Sequence, residues 1–189
     1  MLVSDLDTPA VTAGLDILER NIHDMAAHCR ELDIPLRVHT KTHKTPEIAH
    51  MQLAAGAIGI CCQKLGEAEV MVAAGVKDVL IPYNIVGGLK VERLLRLVKR
   101  ATMTVAVDSE ATAKGISDQA KEQGLEARVI IELDTGGNRC GVQSPEAALQ
   151  LARKIAAMPG LSLQGIMTHP SRVEAVPFVK RTVDLLRAE

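Results

Sequence analysis

Six times in succession this chain sets a short run of aliphatic and β-branched residues ahead of a longer amphipathic stretch. The runs span residues 34–41, 57–63, 78–83, 102–107, 127–134 and 161–168. The stretches that follow span 45–55, 65–74, about 88–100, 109–122, 144–157 and about 173–188. A helical segment at about 15–32 precedes them all. Val79-Leu80-Ile81, Val105-Ala106-Val107 and Val129-Ile130-Ile131 are nearly unbroken in apolar residues, as expected of parallel strands buried on both faces. Strands that each run into a helix through a few connecting residues imply a parallel α/β architecture.

Periodicity supports the helices. Leu15, Leu18, Ile22, Met25, Cys29 and Leu32 recur at steps of three and four, and predict one apolar stripe on the leading helix. Val176, Val179, Val183 and Leu186 do the same for the last. Ser144-Pro145-Glu146 reads as an N-cap, a first-turn proline and a first-turn acid.

Two architectures accommodate six such units, a (β/α)8 TIM-type barrel and an open doubly wound sheet. Polar residues gather at the end of every run: Lys41 and His43, Gln63 and Lys64, Tyr83 and Asn84, Asp108, Asp134 through Arg139, and His169. A barrel offers such a ring at its C-terminal face, whereas an open sheet concentrates function at one switch point. The barrel is therefore expected, as one domain over residues 1–189. Six strands leave it two short of closure, so the expectation is a barrel truncated after six units, with strands one and six as unpaired edges.

Composition narrows the function. A net charge of −1 gives no electrostatic footprint for nucleic acid, and one Tyr and one Phe supply no stacking platform. No apolar run reaches the roughly 18 residues of a membrane span. The opening Met-Leu-Val-Ser-Asp-Leu-Asp lacks the regions of a signal peptide. Cys29, Cys61, Cys62 and Cys140 form no C-x-x-C pair and, with the histidines, no zinc-ligand spacing. Reduced thiols in a cytoplasmic protein are expected.

Lys41 carries the clearest chemistry. In Arg37-Val38-His39-Thr40-Lys41-Thr42-His43-Lys44-Thr45-Pro46, alternation sets Leu36, Val38 and Thr40 on one strand face and Arg37, His39 and Lys41 on the other. Arg37, His39, His43 and Lys44 would surround Lys41 with positive charge, which with burial favours a neutral, nucleophilic amine. A basic solvated loop is the plainer alternative. Lys44 is the rival amine, beyond the strand and less fixed in direction.

Two other strand ends contribute. Glu132 to Gly141 is a glycine-rich loop in which Arg139 can be aimed back over the mouth to hold a phenolate or carboxylate oxygen. Asp134 can orient Arg139 or hold the loop. His169, in Met167-Thr168-His169-Pro170, can stack on a planar ring or move a proton.

Together these segments resemble the fold-type III pyridoxal-phosphate family, whose first domain is the alanine racemase N-terminal barrel. The branch they are most similar to contains D-threonine aldolase and D-serine dehydratase. Leu6-Asp7-Thr8-Pro9-Ala10, Leu18 to Ile22, Arg37 to Pro46, Cys61 to Glu69 and Glu132 to Val142 carry the likeness. Val38 departs from it, standing where this branch usually has proline.

The resemblance implies that pyridoxal 5′-phosphate is the cofactor and that Lys41 forms the Schiff base with it. It implies that Arg139 contacts the phenolic oxygen or the substrate carboxylate, that His169 packs on the pyridine ring, and that Tyr83 lines the pocket. The implied activity is a lyase acting on small β-hydroxy-D-amino acids, with D-threonine aldolase foremost. D-serine dehydratase, another D-amino-acid lyase or a racemase are the alternatives within the family. A non-catalytic pyridoxal-phosphate carrier is the alternative of another class. A homodimer is implied. A divalent metal is implied only with a further C-terminal β-domain, so no metal-ligating residue is expected in this chain.

Overall fold

The computed structural model describes residues 2–189. Seven α-helices and six strands alternate along the described residues: α1 (Leu15–Glu31), β1 (Arg37–His39), α2 (Pro46–Ala54), β2 (Gly59–Cys61), α3 (Leu65–Ala73), β3 (Asp78–Ile81) and α4 (Gly88–Val98). They continue as β4 (Thr102–Val107), α5 (Glu110–Glu122), β5 (Ala127–Leu133), α6 (Pro145–Ala156), β6 (Leu161–Thr168) and α7 (Val176–Arg187). The strands form one wholly parallel sheet in the order β1-β2-β3-β4-β5-β6. An open doubly wound sheet reverses its order at a switch point, and this one never does. The winding is that of a TIM-type barrel carried through six units, with β1 and β6 each paired on one side only.

The sheet has two unlike faces. Ile60, Val79, Ile81, Val105, Val107, Val129, Ile131 and Leu133 are essentially inaccessible. They pack in one core with helix residues such as Met71, Leu94, Leu95, Ile116 and Ile155. The opposite face carries Arg37, His39, Asp78, Thr102, Thr104 and Arg128, all partly or fully exposed. Burial on both faces, expected from the apolar runs, is complete on the helix-covered side and on the other face is confined to positions near the strand ends, such as Ala106 and Glu132. The strands alternate more than their apolar centres suggest, and the alternate positions are polar.

Local signals place the connections. Ser109 and Ser144 cap α5 and α6 by accepting the N–H of Thr112 and Ala147, at 3.4 and 3.0 Å, with Pro145 in the first turn of α6. In β6 the partner of Val129 is Leu163 and that of Ile130 is Gly165, so Gln164 is the extra residue of a β-bulge.

The two helical stripes hold at some positions and are exposed at others. On α1 only Ala26 is buried, while Leu15, Met25 and Leu32 are each more than half exposed. The stripe positions Leu18, Ile22 and Cys29 are partly buried where α1 packs beside α2. On α7 Val179 and Leu186 pack on the core and Val183 is partly buried, Thr182 is buried with its hydroxyl donating to the Phe178 carbonyl at 2.9 Å, and Val176 is exposed.

Candidate active site

Because all six strands are parallel, their C-terminal ends open on one rim. Lys41 follows β1, Tyr83 follows β3, Arg139 follows β5 and His169 follows β6. All four are exposed at that rim, and among the described residues no hydrogen bond or ion pair joins any two of them.

Strand β1 is shorter than the sequence suggests. Ladder pairing with β2 covers Arg37 to His39, and the Thr40 N–H still donates to the Cys61 carbonyl at 2.9 Å. The chain then turns: the Lys44 N–H donates to the Thr40 carbonyl at 2.7 Å, closing a loop over Lys41, Thr42 and His43. Lys41 therefore stands in a turn, and strand alternation does not set its direction. Thr40 is fully buried, and its hydroxyl donates to the Cys61 carbonyl at 3.0 Å, so the base of the turn is fixed to β2.

The crowd of positive charge expected around Lys41 is not assembled. Arg37 reaches over Gly59 to pair with Asp78 at 2.7 Å. Lys44 pairs with Glu67 at 3.1 Å. Burial, and then the charge of Lys41, hold the His39 imidazole below its ordinary value. Burial does the same to His43. The Nδ1 atoms of both rings accept backbone N–H bonds, from Lys41 at 3.3 Å and from Thr45 at 3.0 Å, as neutral imidazoles can. Lys41 is left as an exposed amine with no acidic partner among the described residues.

Two carboxylates to which the sequence reading gave no role organise the rim. Glu67 sits in the first turn of α3 with its side chain 8% exposed. It accepts the Gln63 N–H at 2.7 Å in addition to the Lys44 ammonium. Burial works against its charge, but these donors outweigh it and hold the carboxyl below its usual range. Glu132, near the end of β5, is 1% exposed. Its Oε1 accepts from Arg139 at 3.3 Å and from the Cys140 thiol at 3.2 Å, while Oε2 is buried without a partner. One signal was available for it: an acid inside the otherwise apolar run Val129 to Leu133.

Of the two roles open to Asp134, it takes the loop. Its Oδ1 accepts the N–H groups of Gly136, Gly137 and Asn138 at 3.0, 2.8 and 3.1 Å. The loop returns to β5 through the Val142 N–H to the Glu132 carbonyl and the Asp134 N–H to the Val142 carbonyl, both 2.9 Å. Asp108 accepts the Gly141 N–H at 3.3 Å. Arg139 thus projects half exposed from a pinned loop, held from behind by Glu132. Tyr83 lines a groove of about 560 Å³ with Gln63, Lys64, Asn84, Lys90 and Arg93.

The three thiols of the strand ends, Cys61, Cys62 and Cys140, are not poised as nucleophiles. Burial pushes Cys61 up to about 11 and raises Cys62, and burial followed by the Glu132 contact raises Cys140. Among the described residues no three His, Cys, Asp or Glu side chains are grouped to hold a metal ion, and no helix is long and apolar enough to cross a membrane.

Comparison with known proteins identifies the family and the fold. Residues 14–188 match the family model for the alanine racemase N-terminal domain. The 3-hydroxy-D-aspartate aldolase of Paracoccus denitrificans is 35% identical over 98% of this chain and 52% of its own length. The crystal structure of D-threonine aldolase from Filomicrobium marinum superposes with a TM-score of 0.86 at 39% identity, over 98% of this chain and 52% of that one. The D-threo-3-hydroxyaspartate dehydratase of Delftia gives 0.85 at 32% identity, over 97% and 52%. The chain spans about half the length of the relatives it matches.

Proposed function

The chain belongs to the alanine racemase N-terminal domain family, and from that premise we propose that residues 1–189 form the pyridoxal-phosphate-binding barrel domain of a lyase for β-hydroxy-D-amino acids. The proposed reaction is the cleavage of D-threonine to glycine and acetaldehyde. The observation that carries it is the unpaired Lys41 amine on the same rim as an arginine braced by a buried carboxylate.

The donor set fits this cofactor. A primary amine without an acidic partner is what an aldehyde requires, a half-exposed guanidinium suits a phenolate or carboxylate oxygen, and an exposed imidazole suits the face of a ring. When bound, pyridoxal phosphate supplies an electrophilic aldehyde and a ring that delocalises negative charge developing at the substrate Cα. Lys41 is the nucleophile. Arg139 holds the phenolic oxygen or the substrate carboxylate, and Glu132 orients it. His169 would pack on the ring, and Tyr83 would line the pocket. Neutral His39 fixes the Lys41 backbone by accepting its N–H.

A dehydratase is the second reading, favoured by the likeness to the Delftia enzyme. Both routes use the same amine and the same ring, and no residue of this rim separates them. We place the protein in the cytoplasm on its four unpaired cysteines, and propose a homodimer because the family resemblance implies one. Incubating the whole gene product with pyridoxal phosphate and D-threonine tests the reading. Glycine and acetaldehyde are expected. Release of ammonia and a keto acid would move the assignment to the dehydratase. No turnover of either D-threonine or 3-hydroxy-D-aspartate would overturn the lyase.

A further inference from the structure

Two lysines three residues apart stand at the rim, and only one is free. Lys44 donates to Glu67 Oε1 at 3.1 Å, while Lys41 has no acid within reach among the described residues. Both belong to one small loop. Its near end is Thr40, fully buried and bonded twice to the Cys61 carbonyl. Its far end is Lys44, whose φ of +54 places it in the left-handed region. That region is uncommon for a residue with a long side chain and needs something to hold it. The Lys44 N–H to Thr40 carbonyl bond holds the backbone. The ammonium is held by Glu67, which is itself fixed by the Gln63 N–H at 2.7 Å. One almost inaccessible carboxylate therefore ties the loop after β1 to the turn after β2.

We propose that Glu67 selects Lys41 over Lys44 as the reacting amine, by holding Lys44 in an ion pair and fixing the loop that presents Lys41. This rests on the cofactor reading given above. An amine adds to an aldehyde only through its free electron pair. The nitrogen attacks the carbonyl carbon, a C=N bond forms, and the carbonyl oxygen leaves as water with the two nitrogen protons. Either lysine must shed a proton to expose its free electron pair, but Lys44 must first also leave its carboxylate, and Lys41 has none to leave among the described residues. The Glu67 side chain is only 8% exposed, so the loss of its cation would leave it the Gln63 N–H and little solvent, and the pair resists opening. Glu67 is thus a positioning residue, acting on the reaction through Lys44 and the loop.

The test compares the whole gene product with its E67Q and K44M variants. Each is mixed with pyridoxal phosphate, reduced with borohydride and mapped by peptide mass. Amide hydrogen exchange over residues 41–45 is followed without cofactor. In the unmodified protein all label falls on Lys41. In E67Q a substantial share moves to Lys44, and the loop amides exchange about tenfold faster, the equivalent of ~1.4 kcal/mol. K44M shows the same faster exchange with its label confined to Lys41, which keeps the test valid if E67Q folds poorly. Label on Lys41 alone with unchanged exchange in E67Q would overturn the proposal. Absence of label on Lys41 in the unmodified protein would overturn the cofactor reading instead, and the exchange data would then decide the positioning role by themselves.

Discussion

The guanidinium of Arg37 crosses the open face of the sheet above Gly59 and meets Asp78 at 2.7 Å, bridging β1 to β3 over the strand between them. A Cβ on Gly59 would lie 2.3 Å from Arg37 Nη1 and 3.0 Å from the Asp78 carbonyl. Glycine is the residue that leaves this path open. G59A is expected to lower stability by about 1–3 kcal/mol through overpacking. Urea unfolding measures it, and the same substitution in an R37A background should cost less, because only the Asp78 contact remains. Equal costs in both backgrounds would mean that the bridge does not lie over Gly59.

Gly136 and Gly141 offer a matched pair in the arginine loop. Both have φ near +105, at +105 and +109, but their surroundings differ. A Cβ at 136 meets nothing within 4 Å, whereas one at 141 would lie 2.5 Å from the Asp134 nitrogen and 2.6 Å from the Leu133 carbonyl carbon. G136A is expected to cost about 1 kcal/mol, from backbone strain alone. G141A is expected to cost roughly 2 kcal/mol more and to loosen Arg139, since backbone cannot yield as a side-chain tip does. Thermal unfolding of the two variants, with hydrogen exchange across residues 135–142, checks the order.

Acid should weaken the lysine loop before it weakens the rest. His39 and His43 both have folded-state values depressed by burial, below the ~6.5 of an unfolded imidazole. The unfolded chain therefore takes up more protons as the pH falls below about 6.5. The stability these neutral rings contribute is complete above that pH and is lost as the pH drops through their folded values. Melting temperature should rise from about pH 5.5 to 7 and then level, and a double H39Q/H43Q variant should flatten the rise. Glu67 and Glu69 act in a separate, more acidic window, because their carboxyls are held below the usual range.

The sheet and its helices were legible because burial against the helices imposes a period that the sequence carries openly. Val79, Ile81, Val105, Val107, Val129 and Ile131 all lie on that side. The second face was misread because Thr102, Thr104 and Arg128 look incidental beside their apolar neighbours. Lys41, Arg139, His169 and Tyr83 were singled out by their place at strand ends, and parallel topology sets those ends on one rim. Glu67 and Glu132 were not assigned, because their roles depend on partners 23 and 7 residues away in the chain, Lys44 and Arg139, that only the fold brings near. The end of β1 was overextended because a turn closed by the Lys44 N–H and the Thr40 carbonyl leaves no mark in hydrophobic pattern.

The central claim is that Lys41 is the amine that holds the cofactor. Its most direct test is borohydride reduction of the whole gene product with pyridoxal phosphate, followed by peptide mapping, alongside K41A. The account predicts visible absorbance that is bleached on reduction, label on Lys41, and neither absorbance nor label at that position in K41A. Label on another lysine with Lys41 untouched, or absorbance that survives in K41A, would contradict it.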